Sequence, residues 1–257
     1  MKVFLHVRTG RPDASEFAER LAAEFAANGV TADNSRDGAD LVVAVGGDGT
    51  MLSVVAVGHD LHVPVLGFTL GTFGFGAAAE PDEMQNVVSR LISGDYRIAE
   101  RMTVAATVGD QTVTGVNDVV IEKVDSQRLI ELNVDIDGVR FVNYRADGLI
   151  VATPTGSTAY SFSAGGPLVS PALDAFVLTP VAAHSLFSRS LVIEPDLEIV
   201  VRVSRDRPVK VSIDKTTIGP IGPGDTVIIR KGARPARFVE LDPPSFAGQV
   251  RHKFRLP

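Results

Sequence analysis

The run Gly46-Gly47-Asp48-Gly49-Thr50 follows directly on the apolar stretch Leu41-Val42-Val43-Ala44-Val45. Glycines on both sides of one carboxylate allow a tight turn with positive φ and let a ligand approach the backbone. Their amides, with the N-terminus of a following helix, make a phosphate cradle. An acid among phosphates is repelled unless it acts on something. Two tasks fit: general base for a hydroxyl nucleophile, or ligand to Mg²⁺. The plainer reading is a strand-to-helix turn with Asp48 as its N-cap. The run is not a Walker A loop, because no Gly-Lys-Ser/Thr follows, so any kinase chemistry here works without a P-loop lysine.

Asn117-Asp118 places an amide beside a carboxylate, a pair suited to an adenine edge and a ribose diol, although the dipeptide alone reads as a turn. Asp147 to Ser161 reads Asp-Gly-Leu-Ile-Val-Ala-Thr-Pro-Thr-Gly-Ser-Thr-Ala-Tyr-Ser, a strand running into a loop dense in hydroxyls and small residues. A flat polar ligand can lie on such a backbone while hydroxyls bond its edges. Ala164-Gly165-Gly166-Pro167 then signals close backbone packing. Ser157 lacks the Gly-x-Ser-x-Gly of a hydrolase elbow. Two weaker signals have bland explanations. Gly74-Phe75-Gly76-Ala77-Ala78-Ala79 matches a loose dinucleotide fingerprint but sits well past its strand, with Pro81 close behind. His59 and His62 read as surface-loop histidines without a third metal ligand.

The elements around these residues change character along the chain. Val3 to Val7 reads as a buried strand. Asp13 reads as an N-cap with Glu16 as its capping-box partner, and Phe17, Ala18, Leu21, Ala22 and Phe25 recur at helical spacing up to Gly29. Met51 to Val57 is a helix, Val63 to Phe68 a strand, and Pro81 to Ser93 a helix whose buried stripe is Met84, Val87, Val88, Leu91 and Ile92. Strands alternating with helices predict a parallel α/β domain. Beyond Gly94 short strands dominate: Gln111 to Thr114, Arg128 to Ile136, Val139 to Tyr144, Leu197 to Val211 and Thr226 to Lys231. Asp137-Gly138 marks a hairpin. The expected organisation is an α/β domain over 1–96, a β-rich, sandwich-like domain over 97–241, and a tail over 242–257.

Composition narrows the function. The 257 residues contain no cysteine, which removes thiolate nucleophiles, disulfides and Cys-ligated metals. With 25 Lys and Arg against 31 Asp and Glu the formal charge is −6, and no basic block suggests a nucleic-acid groove. No apolar run reaches the ~18 residues that span a membrane. The start of the chain reads as a strand and not a signal sequence. A cytoplasmic protein is expected.

Taken together, the Gly-rich turn, Asn117-Asp118 and the Asp147 to Pro171 block resemble the NAD kinase family over most of the chain. The turn alone is shared with diacylglycerol-type lipid kinases and, more loosely, with phosphofructokinases; the combination is far more specific. The resemblance implies the NAD kinase/diacylglycerol kinase-like fold, with nucleotide bound between the two domains and the tail packed back on the first. It implies phosphoryl transfer from ATP or polyphosphate, with Mg²⁺ or another divalent cation, to the adenosine-ribose 2′-hydroxyl of NAD, giving NADP. Asp48 then becomes the base, and Gly46, Gly47, Gly49 and Thr50 face phosphates. Asn117 and Asp118 hold the adenosine portion. Arg128, Arg145, Asp147, Thr158, Ala159, Tyr160 and Ser163, with Asp48 and Gly49, line the NAD site. No metal ligand is implied by name. A homodimer or homotetramer without membrane or nucleic-acid partners is the expected state. Ser53, Thr69 and Thr216 depart from residues common in the family. The alternatives are a diacylglycerol-type lipid kinase, which would want an apolar or basic membrane face, and a non-catalytic nucleotide-binding regulator, which would gain little from Asp48.

Overall fold

The computed structural model describes residues 1–70, 78–125, 127–204, 207–242 and 245–256, with the side chains of all these except Asp48, Ala78 and Lys253. The chain forms two compact units, one of residues 1–100 with 236–257 and the other of residues 101–235.

In the first unit, strands β1 (Lys2–Val7), β2 (Thr31–Asp33), β3 (Leu41–Gly46), β4 (Val65–Thr69), β5 (Ala78–Ala79) and β6 (Arg97–Arg101) combine with the closing strand Ala236–Glu240. The sheet order is β2-β1-β3-β4, then the closing strand, then β6, with β5 beside β4. β1 to β4 pair in parallel, as alternating strands and helices require, and the closing strand joins β4 in parallel through Phe238 and Val65. Every residue of β3 is buried, which its unbroken apolar sequence demands of a central parallel strand. Helix α1 (Pro12–Ala27) lays Phe17, Leu21 and Phe25 on this sheet, and the core also takes Val87, Val88 and Leu91 of α3 (Met84–Ser93). Val239 of the closing strand is buried in the same core.

Several local expectations shift. Asp13 is not the N-cap of α1. Pro12 occupies the first helical position, so the cap falls on Arg11, and Asp13 in the first turn accepts a 2.8 Å bond from Arg11 Nε. Pro81–Glu83 is a 3₁₀ turn, closed by reciprocal bonds between Glu80 and Glu83, and α-helix begins only at Met84. Ile92 is 41% exposed, because one residue past Leu91 turns it about 100° off the stripe. Helix α2 (Asp48–Leu61) starts three residues before Met51 and runs through His59, with His62 as a left-handed C-cap at φ 62°, so His59 lies on a helix and not in a loop. Gly74 to Ala77 lie outside the described residues.

The second unit contains two six-stranded sheets. The first orders β11 (Val139–Ala146), β10 (Ile130–Ile136), β15 (Ile199–Ser204), β18 (Thr226–Lys231), β7 (Val104–Val108) and β8 (Gln111–Gly115). The second orders β14 (Leu191–Ile193), β13 (Phe176–Val181), β12 (Gly148–Ala152), β9 (Asp118–Lys123), β16 (Val209–Ile213) and β17 (Thr216–Ile221). The pairings in both sheets are antiparallel. Alternate residues of both sheets, such as Ile130, Leu132 and Val134 from one and Leu149 and Val151 from the other, share one core. This is a β-sandwich, as period-two patterning predicts. Asp137 and Gly138 take φ 48° and 76° in the predicted hairpin turn. The opposite face of the second sheet is also covered: Val120, Ile150, Ala152 and Val177 pack with Val169. That double burial explains the solid apolar run of β12 and sets the hydroxyl-rich loop at its end.

Candidate functional site

In the first unit the Gly-rich turn sits at the carboxyl ends of parallel strands, where α/β sheets bind ligands. Gly46 is the last residue of β3, Gly47 is the N-cap of α2, and Asp48, Gly49 and Thr50 make the first helical turn. The expectation of positive φ is corrected here: Gly47 has φ −105°, and Gly46 also lies outside the left-handed region. The glycines serve space instead. A Cβ on Gly46 would collide with the Thr50 hydroxyl, lying 2.9 Å from Thr50 Cβ and 3.2 Å from Arg8 Cβ. Thr50 itself is buried. At Gly47, by contrast, a Cβ would meet none of the described atoms within 4 Å. Neither backbone conformation nor packing within the described chain demands glycine there, and the space beside it is open. The Gly47 carbonyl accepts from the amides of Thr50 (2.8 Å) and Met51 (3.1 Å), which winds the helix immediately after the strand. Asp48 is thereby the first residue of α2, where the helix dipole favours negative charge and anions collect.

Of Ser53, Thr69 and Thr216, the first two lie in the unit that holds this turn. Ser53 Oγ donates to the Gly49 carbonyl at 3.2 Å, and Thr69, buried, pairs with Gly46 across β3 and β4. Thr216 is an exposed residue at the start of β17 in the other unit. Sequence reading missed Arg8 and Arg11. Arg8 follows β1 and its amide donates to the Val45 carbonyl at 3.0 Å, so parallel pairing of β1 with β3 brings a cation to the Gly-rich turn. Arg11 donates to the Leu70 carbonyl at 3.3 Å.

In the second unit the proposed dinucleotide residues fall into two groups. β9 and β12 are antiparallel neighbours, with Asp118 opposite Ala152 and Glu122 opposite Gly148. Asn117 and Asp118 therefore lie at the end where Thr153 begins the hydroxyl-rich loop, and Lys123 and Asp147 lie at the other, about 17 Å along the strand.

At the first end the segment from Val116 to Asp118 is clamped from both sides. The Thr153 hydroxyl donates to the Val116 carbonyl at 2.6 Å, and the Thr153 amide donates to the Asn117 carbonyl at 2.8 Å. Asp214, in the turn between β16 and β17, accepts from the amides of Val116 and Asn117 at 2.8 Å each and from Asp118 at 3.2 Å. Asp118 is only 6% exposed. Burial, and then the Asp214 carboxylate, push its pKa up to about 7. Burial also raises Asp214, against the lowering effect of the three amides and Lys215.

The loop divides its hydroxyls between two tasks. Thr153, Ser157 and Ser161 are buried. Ser157 Oγ donates to the Pro154 carbonyl at 2.7 Å and accepts from the Val169 amide at 3.0 Å, while Ser161 and Thr179 share a 2.9 Å bond. Gly166 packs against that pair, where a Cβ would lie 2.7 Å from Thr179 Oγ1. Thr158 is half-buried, its hydroxyl donating to the Thr155 carbonyl at 3.2 Å. Ala159 links the 3₁₀ turn Gly156–Thr158 to the short helix Tyr160–Ser163, whose Tyr160 and Ser163 are exposed.

At the second end Asp147 stands where the chain crosses from β11 of one sheet to β12 of the other. Its carboxylate is 2.5 Å from Lys123 Nζ, a partner not expected from sequence. Gly148 permits the crossing, since a Cβ there would come 2.7 Å from the Ile121 carbonyl oxygen. Arg128 and Arg145 share a cleft of about 460 Å³ with Glu131, Ser204 and Arg207, and Arg145 Nε lies 3.7 Å from Glu131 Oε1. Arg207, also missed from sequence, donates to the Leu129 carbonyl at 2.6 Å.

The model of the ATP-NAD kinase N-terminal domain matches residues 7–96, and that of the ATP-NAD kinase C-terminal domain matches residues 116–241. The chain belongs to the ATP-NAD kinase family. It is 38% identical to an NAD kinase of Corynebacterium glutamicum over 231 residues, 87% of this chain and 79% of that one. It is 37% identical to NAD kinase 2 of Streptomyces avermitilis, over 99% of this chain and 94% of that one. Among solved structures, a yeast NADH kinase complexed with NADH superimposes with a TM-score of 0.85 at 25% identity, covering all of this chain and 88% of the other. An Archaeoglobus fulgidus NAD kinase in complex with ATP has the same fold, with a TM-score of 0.81 at 24% identity over 97% and 98% of the two chains. Membership makes the chain a kinase enzyme with an α/β part followed by an antiparallel β-rich part. Among the described residues no helix is long and apolar enough to cross a membrane, and no group of three or more His, Asp or Glu could hold a metal ion.

Proposed function

We propose that the chain transfers the terminal phosphoryl group of ATP, or of polyphosphate, to the adenosine-ribose 2′-hydroxyl of NAD. The observation that carries this reading is the Gly-rich turn: an acid begins a helix at the end of a parallel strand, beside a glycine whose surroundings leave room for a bound group. Phosphoryl transfer asks the protein chiefly to position two anions and neutralise charge. Backbone amides at the start of α2 and Arg8 are assigned to the phosphates. Asp48 is assigned to the attacking hydroxyl, whose proton it takes as the bond to phosphorus forms. Mg²⁺ is assigned to the donor's phosphates, whose charge it would neutralise. Asn117, Asp118, Thr158, Ala159, Tyr160 and Ser163 are assigned to NAD, as are Arg128, Arg145 and Asp147. The chain is proposed to work in the cytoplasm as a homodimer or homotetramer.

The test is purified protein with Mg²⁺, ATP and NAD, read by an NADP-specific dehydrogenase. Parallel reactions replace ATP with polyphosphate and NAD with NADH. NADP formation supports the reading; no NADP, with phosphate passed instead to diacylglycerol, overturns it.

A further inference from the structure

We propose that Asp214 is a positioning residue for the acceptor site, holding the backbone of Asn117-Asp118 in the shape that binds NAD. This rests on the assignment of Asn117 and Asp118 to NAD made above.

The argument starts from the turn. Asp214 and Lys215 alone connect β16 to β17, with Ile213 opposite Thr216. Two-residue hairpin turns favour Asn-Gly, Asp-Gly or glycine pairs, because such turns place residues at positive φ. Asp214 takes that conformation at φ 49°. Asparagine or glycine would serve the turn as well. Neither could replace what the carboxylate does, because its two oxygens receive three consecutive amides, those of Val116, Asn117 and Asp118, almost 100 residues earlier in the chain. The bond is returned by the Asp214 amide, which donates to the Asp118 carbonyl at 3.1 Å. Gly115 leaves space for the carboxylate, since a Cβ there would lie 2.9 Å from Asp214 Cγ and Oδ1.

Three amides pointing at one acceptor make a concave nest, and Asp214 fills it as an internal anion. The Val116 and Asn117 carbonyls face the other way and are taken by Thr153. The Asn117 and Asp118 side chains thus leave a backbone that is hydrogen-bonded on both sides of its peptide planes. Binding then loses little to ordering of this segment. Asp214 also lies beside the Asp118 carboxyl, where it adds to the effect of burial in raising that group's pKa.

The decisive variant is Asp214→Asn, which keeps the turn and one acceptor oxygen but turns a donor toward the amides. KM for NAD should rise at least tenfold, with kcat within threefold and KM for ATP unchanged. The inflection in the pH profile of KM for NAD should move to lower pH, because Asp118 loses a neighbouring charge, a shift that mere maintenance of the fold would not produce. Gly115→Ala supplies a second route: its Cβ would lie 2.6 Å from Ile213 Cγ2 and 2.9 Å from Asp214 Cγ and Oδ1, so it displaces the turn and the carboxylate together, and KM for NAD should rise with some loss of Tm. An unchanged KM for NAD in both variants overturns the proposal. So does an equal loss of NAD and ATP affinity accompanied by a large drop in Tm, which would mark Asp214 as a fold residue only. If the wild-type protein makes no NADP from NAD, the function reading fails instead, and the two failures are thereby told apart.

Discussion

Gly156 approaches Asn117 so closely that a Cβ on it would lie 2.7 Å from Asn117 Cα and collide with the Asn117 carbonyl. The obstacle is backbone, which cannot swing aside as a side chain does. Gly156→Ala must therefore displace the hydroxyl-rich loop or the Asn117 segment, at a cost of about 1–3 kcal/mol. Both outcomes damage the same end of the sandwich. The expected result is a lower Tm and at least a tenfold weaker NAD affinity, measured by scanning calorimetry and titration calorimetry.

Gly47 offers the opposite case. It has φ −105° and open surroundings among the described residues, so Gly47→Ala should fold normally, its Tm falling no more than a weakened helix cap requires. The methyl group would occupy space assigned to phosphate. KM for ATP should rise severalfold while NAD affinity holds, and steady-state kinetics with each substrate varied in turn checks the split.

Asp48→Asn keeps size and helix position but removes the carboxylate to which the role of base is assigned. General-base catalysis contributes roughly 10²–10⁴-fold. Turnover should fall by at least about 10²-fold with NAD binding retained. A variant with near-normal kcat would remove Asp48 from that role.

Much of the candidate site is legible in sequence because it is contiguous. Gly46 to Thr50 and Asp147 to Ser163 announce themselves as runs of unusual composition, and the α/β-then-β division follows from the change of hydrophobic period. What stays hidden depends on pairing between distant segments. Arg8 reaches the Gly-rich turn only because β1 lies parallel to β3, and Asp214 reads as an ordinary turn residue until β16 is placed beside β9. The loop's hydroxyls look equivalent in sequence, yet Ser157 and Ser161 are spent on internal bonds while Tyr160 and Ser163 face outward. The splitting of the residues assigned to the dinucleotide between two ends of β12 is likewise a matter of register. Positive φ at the Gly-rich turn was the wrong physical reason for glycine: crowding against Thr50 requires Gly46, and openness distinguishes Gly47.

Arg8 is the cation that strand pairing brings to the turn, where its Cβ borders Gly46. It is exposed, so its removal should leave stability nearly unchanged. Arg8→Ala should raise KM for ATP by about tenfold, the loss of one charge-assisted contact to phosphate, and Arg8→Lys should recover part of it. Kinetics at two salt concentrations should show the wild-type advantage shrinking as ionic strength rises.

The buried Asp118 carboxyl gives the protein a pH dependence of known sign. Its pKa is pushed up to about 7 in the folded chain from the ordinary carboxyl value of 3.8, first by burial and then by Asp214. Between those values the folded state holds a proton that the unfolded state has released. Stability from this group is thus complete below pH 3.8 and declines as pH rises through about 7. Unfolding followed by denaturant at a series of pH values should show a slope in this window that Asp118→Asn reduces, because an amide remains neutral throughout, while the raised Asp214 carboxyl keeps a part of it. The same window bears on NAD. Below about 7 the carboxyl can donate a hydrogen bond, and above it can only accept, so a ribose diol or base edge meets a different partner on each side. Titration calorimetry with NAD between pH 5.5 and 8.5, a range set around that value, should show affinity changing with an inflection near 7 in the wild type and flat in Asp118→Asn. A wild-type profile without an inflection would detach Asp118 from the ligand and leave its burial a purely structural matter.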